Sequence, residues 1–186
     1  MKIFLLGILL LLGNFIHLTA QDSSTVTLPK PHQTKLLTFS YLIGSYSEGD
    51  ALTYYHFSKK DFKGWYFPYS LSLQNVSVKA GNISTFSFVN SSPNFFVPGI
   101  SAMRNISDNF WINLGVQIPM SAENVTDPYG KLLTHGIIGI APVQEIFLIP
   151  RTTYGLIIGV GVFERFTNAY KYQNDVGLRV ELGLKF

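Results

Sequence analysis

Val176-Gly177-Leu178-Arg179-Val180-Glu181-Leu182-Gly183-Leu184-Lys185-Phe186 is the stretch on which the fold turns. Successive side chains of a strand point to opposite faces. One face here is therefore Val176, Leu178, Val180, Leu182, Leu184 and Phe186, and the other is Gly177, Arg179, Glu181, Gly183 and Lys185. The alternation runs without an error, which identifies an amphipathic strand rather than a helix. Its length matches the roughly 9–11 residues that a tilted strand needs to cross a bilayer.

The opposite end of the sequence points to export. Lys2 precedes an apolar run from Ile3 to Leu12, and Leu18-Thr19-Ala20 precedes Gln21. A basic start, a short apolar core and a small residue before a polar one describe a secretory signal peptide, expected to be cleaved after Ala20. Residues 21–33, with Pro29 and Pro31, read as a polar periplasmic tail, and residues 34–186 as the folded domain. Cysteine is absent from the chain, which removes disulfides, lipid-anchored Cys and Cys-ligated metals. Small secreted domains commonly depend on disulfides, so another source of stability is needed.

Residues 21–186 carry 13 basic and 11 acidic side chains, a net charge of +2. No basic stripe accompanies it, so no nucleic-acid partner is expected. Charged residues make up 13% of the chain and aromatic residues 15%. Beyond the leader no stretch approaches the 18 or so apolar residues of a membrane helix. Apolar residues spread at period two suit a closed sheet in lipid, where backbone groups find partners only in neighbouring strands.

The pattern predicts eight strands. The first begins near Thr34, with Leu37, Phe39, Tyr41 and Ile43 on one face. Residues 46–64, rich in Ser, Lys, Asp and Gly, read as a long loop bearing an aromatic patch at Tyr54, Tyr55 and Phe57. An extra hairpin there would raise the count to ten. The second strand runs from Trp65 to Val78, with a phase slip at Gln74-Asn75 that a bulge would explain. The third runs from Ile83 to Val89 and the fourth from Phe95 to Arg104, where Pro98 removes a ladder donor. Phe110, Ile112, Leu114, Val116 and Ile118 mark the fifth. Residues 119–131 read as a polar loop. The sixth strand spans Leu132 to Leu148, the seventh Tyr154 to Phe166 and the eighth Asp175 to Phe186. Short connections after the even strands and mostly longer ones after the odd strands match the turns and loops of membrane barrels. Aromatic clusters at Trp65–Tyr69, Phe95-Phe96, Phe110-Trp111 and Phe163/Phe166 are expected to form interfacial girdles.

The leader together with a terminal amphipathic strand ending on Phe186 resembles the small outer-membrane β-barrel superfamily of Gram-negative bacteria, which includes eight-stranded adhesin and porin-like proteins. The resemblance implies an all-β fold: an eight-stranded, antiparallel, up-and-down transmembrane β-barrel in the bacterial outer membrane. It also implies that Val180, Leu182, Leu184 and Phe186 form a C-terminal signal for the barrel-assembly machinery.

An eight-stranded barrel has room inside only for its own side chains. The expected inward set includes Arg165, Arg179, Glu181 and Lys185, with Ser40, Ser70, Ser72, Asn113, Gln117 and several glycines. Buried charges must be paired, so these four are expected to form a network that plugs the lumen. A polar conduit for protons or small ions is the functional alternative. Catalysis has little support: His32, His56 and His135 are the candidate bases, with Glu145 ten residues beyond His135, and no lipase or deacylase spacing is present. No phosphate loop, metal cluster or cofactor motif is visible. Five Asn-x-Ser/Thr triplets, at Asn75, Asn82, Asn90, Asn105 and Asn124, have the form of glycosylation acceptors and point to a secreted glycoprotein instead.

Function is therefore expected in exposed loops around residues 46–64, 90–94, 119–132 and 167–174. Tyr54, Tyr55 and Phe57 are the expected adhesion patch, and a surface ligand is expected at loops 46–64 and 119–132. Two other readings remain. A soluble lipocalin-like barrel binding a small apolar ligand would turn the apolar stripe inward and leave Arg179, Glu181 and Lys185 in water. A narrow porin-like channel would keep the lumen open.

Overall fold

The computed structural model describes residues 35–186 apart from 58–60, 63, 80–86, 89–92, 108, 127–128, 151–154 and 171–172. The expected signal peptide and periplasmic tail lie outside the described residues. Twelve strands are present among the described residues: β1 (Lys35–Gly44), β2 (Ser47–His56), β3 (Asp61–Phe62), β4 (Trp65–Tyr66), β5 (Tyr69–Val78), β6 (Ser87–Phe88), β7 (Asn94–Ser107), β8 (Phe110–Gln117), β9 (Met120–Thr126), β10 (Leu132–Leu148), β11 (Gly155–Thr167) and β12 (Asn174–Lys185). Eight of them close a ring. β1 pairs β2, β2 pairs β5, β5 pairs β7, β7 pairs β8, β8 pairs β10, β10 pairs β11, β11 pairs β12, and β12 returns to β1, all antiparallel. Closure leaves no sheet edge around the ring, the condition for a sheet to sit in lipid.

The apolar stripe faces outward. Val180, Leu182 and Leu184 are 51–57% exposed, while Arg179 and Glu181 between them are each 1% exposed. The same inversion holds on β1, where Phe39, Tyr41 and Ile43 are exposed and Thr38 and Ser40 are fully buried. A soluble barrel would place these sets the other way round, so the lipocalin-like reading is overturned. The chain is an all-β, eight-stranded antiparallel barrel with its apolar face outward.

The number of barrel strands is eight, but its membership differs from the expectation. Residues 46–64 are not a long loop. Ser47–His56 is a barrel strand, joined to β1 by a two-residue turn at 45–46 and paired with β5 from Ser47↔Val78 to His56↔Tyr69. Its outward side chains include Glu48 and Asp50 near one end, and only Leu52 and Tyr54 continue the apolar belt. Such a weak stripe reads as a loop until β1 and β5 flank it. Gly49 permits the close approach, because a Cβ there would collide with the carbonyl oxygen of Asn75.

The expected third strand supplies only Ser87–Phe88 among the described residues, and this fragment pairs β9 outside the ring. Residues 119–131 are not a simple polar loop either. Met120–Thr126 forms β9 and pairs Leu132–Ile138 of β10, so the β8–β10 hairpin continues past the barrel wall. The phase slip expected at Gln74-Asn75 is absent. β5 keeps strict alternation, and Val76 turns inward with Gln74. The register does shift, but in β7 between Asn105 and Ser107.

Lys35 and Lys185 lie at one end of the ring, here called the proximal end. The connection at 57–68 also lies there, since β2 ends and β5 begins at that end. The distal end carries the turn 45–46, the Ser87–Phe88 strand, the β9–β10 hairpin and residues 168–170. The expected alternation of short and long connections therefore holds only partly, with 57–68 on the same side as the turns after β7 and β10. Aromatic pairs split by strand parity. Phe67, Tyr69, Phe96, Phe110 and Phe166 face outward, as girdle residues do, whereas Phe95 and Phe163 are buried and Tyr66 and Trp111 pack inward. Arg104 stacks over Trp65 at 5.6 Å on the proximal rim.

Candidate functional site

Inside the barrel, apolar and polar side chains alternate in layers. The proximal layer is Leu36, Tyr55, Phe57, Met103, Phe147 and Ile157 with Ile149 beneath them. A second apolar layer is Leu42, Ala51, Val143 and Phe163. The distal layer is Val76, Phe95, Val97, Ile137 and Ala169. Two charged groups occupy the spaces between these layers.

The first group centres on Arg179, carried by β12. Its Nε lies 2.6 Å from Glu181 Oε1, and its Nη1 lies 3.3 Å from Glu145 Oε1. Nη2 donates to Thr53 Oγ1 at 2.8 Å and to Ser40 Oγ at 3.1 Å. The Thr53 hydroxyl in turn donates a hydrogen bond to Ser72 Oγ at 2.9 Å. Glu145 Oε2 accepts from Asn113 Nδ2 at 2.6 Å and from the Tyr55 hydroxyl at 3.5 Å. Cross-strand neighbours explain the convergence. Glu145 lies opposite Gly161, and Gly161 opposite Arg179. Glycine on the intervening strand clears the path, since a Cβ at Gly161 would sit 2.5 Å from Glu145 Cγ. Gly159 does the same for Phe147, whose ring would lie 2.5 Å from an added Cβ.

The second group centres on Arg165 of β11. Its Nη2 donates to Gln74 Oε1 at 2.9 Å, and its Nη1 is 3.9 Å from Asp175 Oδ2. The guanidinium lies between the rings of Phe95 and Phe163, 5.0 and 5.4 Å from their centroids, a cation–π arrangement. Asp175 accepts from the Tyr46 amide at 2.9 Å and from the Ser47 hydroxyl. A cavity with room for one water lies between the two arginines against Gln74 and Gln117.

The four residues expected in the lumen all point inward, but they do not form one cluster. Arg179 and Glu181 meet in the first group, and Arg165 belongs to the second. Lys185 stands at the proximal rim, where Nζ donates to the Pro150 carbonyl at 3.1 Å. The sequence reading missed Tyr55, Asp175, Gln74 and the role of Glu145. Glu145 sits at period two with Val143 and Phe147 on β10, and that inward phase was the available signal.

The expected adhesion patch is overturned. Tyr55 is 1% exposed and belongs to the lumen, where its ring meets Phe147 edge-on, and Phe57 is buried in the same proximal layer. Tyr54 faces outward, with its hydroxyl 3.3 Å from His56 Nδ1, at the proximal end. Strand alternation separates neighbours that a loop would have exposed together. His56 stacks on Tyr69 at 4.9 Å. His135 lies ten residues from Glu145 along β10, about 33 Å in an extended strand, so the two do not meet. His135 instead packs on Tyr170 and bonds the Asn168 carbonyl at 3.1 Å. Val180, Leu182, Leu184 and Phe186 all lie on the outer, apolar face.

Among the described residues the β9–β10 hairpin is the most prominent distal feature. Tyr129 at its tip is 95% exposed, and Leu132 and Leu133 beside it are open to solvent. Glu123 is buried on its inner side and accepts from the Tyr170 amide at 2.9 Å. Asn168 ties residues 168–170 to β10, with Oδ1 accepting from the Ile138 amide at 2.8 Å and Nδ2 donating to the Gly136 carbonyl at 3.1 Å. The projection is thus braced from one flank.

No family model matches the chain, and no curated protein matches it. Among solved structures, it is similar to the crystal structure of Ail, the attachment invasion locus protein of Yersinia pestis. The TM-score is 0.48 at 10% sequence identity, over 82% of this chain and 97% of that one. The apolar belt, the layered lumen and the braced hairpin are properties of this chain's own residues.

Proposed function

We propose that this chain is a closed bacterial outer-membrane barrel that acts as a scaffold, presenting its distal hairpin for adhesion or envelope contact. The single observation that carries the reading is the pairing of an outward apolar belt with a braced hairpin that projects beyond it. A rigid base under an exposed tip is what recognition by a loop requires. Tyr129 and Leu132 replace the buried Tyr55 and Phe57 as the contact residues, because exposed aromatic and apolar side chains anchor interfaces. The distal end faces the cell exterior, and the proximal end, with Lys35 and Lys185, faces the periplasm. The outer face of β12, with Val180, Leu182, Leu184 and Phe186, is the segment offered to the barrel-assembly machinery, and its sides are then buried in outer-membrane lipid.

A non-conducting, non-catalytic lumen fits this role. Apolar layers stand on both sides of each charged group, and the space between the two arginines fits one water. The experiment begins with outer-membrane fractionation and electrophoresis of boiled and unboiled samples. A heat-dependent mobility shift in the outer-membrane fraction is expected. Planar-bilayer recording should then give no steps, and replacing Tyr129 and Leu132 with Ser should abolish binding of expressing cells to host or envelope components without altering the shift. Unit conductance, or unchanged binding, would remove the scaffold reading.

A further inference from the structure

Among the described residues, Lys35 is a cation on the outer face of the proximal rim with no carboxylate paired to it. The other cations of this rim are engaged. Lys185 turns inward to the Pro150 carbonyl, and Arg104 lies over the Trp65 ring. On the outer faces of β1, β2 and β5 the acid nearest to Lys35 is Asp50. It lies on β2 six residues from His56, about 20 Å along the strand.

Register builds a polar strip beside this lysine. Lys35 lies opposite His56, and His56 lies opposite Tyr69. Directly opposed side chains on one face have Cβ atoms about 4.5–5.5 Å apart, so the three are contiguous. The His56 ring is also fixed in place. It stacks on Tyr69 with centroids 4.9 Å apart and planes at 27°, and the Tyr54 hydroxyl lies 3.3 Å from its Nδ1. With Nδ1 engaged, Nε2 is the ring nitrogen left to meet a ligand.

The rows next to this strip, toward the middle of the belt, are apolar apart from the Tyr54 hydroxyl. Leu37, Tyr54 and Leu71 form the first, and Phe39, Leu52 and Leu73 the second. Phe39, Leu52, Leu71 and Leu73 are 42–59% exposed. A cation and hydrogen-bond donors thus stand at the head of an apolar track. Phosphate takes charge-assisted hydrogen bonds from the first, and acyl chains cover the second.

The geometry points to a binding site for one phospholipid of the periplasmic leaflet, with its phosphate on Lys35 and His56 and its acyl chains along the two apolar rows. The inference rests on the proposed outer-membrane barrel, with its proximal end toward the periplasm. Lys35 has its charge to spare, so an anionic headgroup such as phosphatidylglycerol is held in preference to phosphatidylcholine, whose own ammonium it repels.

Native mass spectrometry tests the site. The full chain is inserted into phosphatidylcholine vesicles holding a minor share of phosphatidylglycerol, then released into mild detergent. The parent protein should retain phosphatidylglycerol in preference. Lys35→Gln should cut that preference about fivefold, the effect of losing one cation worth about 1 kcal/mol at an anionic headgroup. Lys35→Gln/His56→Gln should abolish it, and Lys131→Gln beside the distal hairpin should leave it unchanged. Equal retention of the two lipids by the parent overturns the site. So does an unchanged preference in the inserted double variant, or an equal loss in Lys131→Gln. If the double variant fails to insert, His56→Lys decides: a second fixed cation should raise the preference, and no rise overturns the site. The heat-dependent mobility shift is read on every sample. Its absence from the parent overturns the barrel reading and the site with it, whereas a shift without lipid preference overturns the site alone.

Discussion

Arg179→Met is the perturbation that probes this barrel most directly. Methionine keeps much of the side-chain length and removes the charge that binds Glu145, Glu181, Ser40 and Thr53. Removing one partner of a buried ion pair costs about 3–5 kcal/mol, because the remaining charge stays buried without compensation. At about 1.4 kcal/mol per tenfold, the folding equilibrium should fall by roughly two to four powers of ten. Urea unfolding of the barrel in micelles, followed through Trp65 and Trp111 fluorescence and by unboiled electrophoresis, measures the loss. The triple variant R179M/E145Q/E181Q provides the control. Once all three groups are neutral, no bare charge remains, and most of the lost stability should return. A single-variant loss under about 1 kcal/mol, or a triple variant no better than the single, would falsify the assignment of Arg179 as the charge that holds the layer.

Further outcomes follow from packing and from the membrane face. Gly159→Val and Gly161→Val should each destabilise by about 1–3 kcal/mol through overpacking against Phe147 or Glu145, read from the same urea curves; wild-type midpoints would refute the close packing. Val180→Arg should cost about 2–4 kcal/mol in lipid vesicles if it lies near the bilayer midplane, whereas a barrel with its stripe inward would respond as a core protein and also leak into the soluble fraction. Replacing Tyr55 and Phe57 with Ser should reduce the folded fraction on unboiled gels, the opposite of what a surface patch would do. Shortening the hairpin across 129–131 should leave the heat shift intact, because those residues lie beyond the barrel ring.

Legibility in the sequence followed the strength of each stripe. β12 and β8 were readable because the lipid face is continuous and the lumen face is polar or Gly, apart from Trp111 at the proximal end of β8. β2 was not, since its outer face contributes only Leu52 and Tyr54 before reaching Glu48 and Asp50, and its inner face holds Tyr55 and Ala51. Val76 looked like a change of phase because apolar residues mark the outer face on most strands. Inside, it joins Phe95 and Val97, and an apolar lumen layer erases the contrast on which period-two reading depends.

The residues alone determined that this chain is a period-two protein with enough spans for a small closed sheet and with charges confined to one face of its last strand. Local alternation fixes which side chains share a face, and that property survives any tertiary arrangement. Closure decided the rest. Only the eight-stranded ring determines that the apolar face is outside, that Ser47–His56 completes the wall, and that Tyr55 lies within it. Only the ring brings Glu145, far along the chain from Arg179, into ionic contact across a glycine strand. Register between distant strands sets those meetings, and register is a property of the assembled sheet rather than of any strand taken singly.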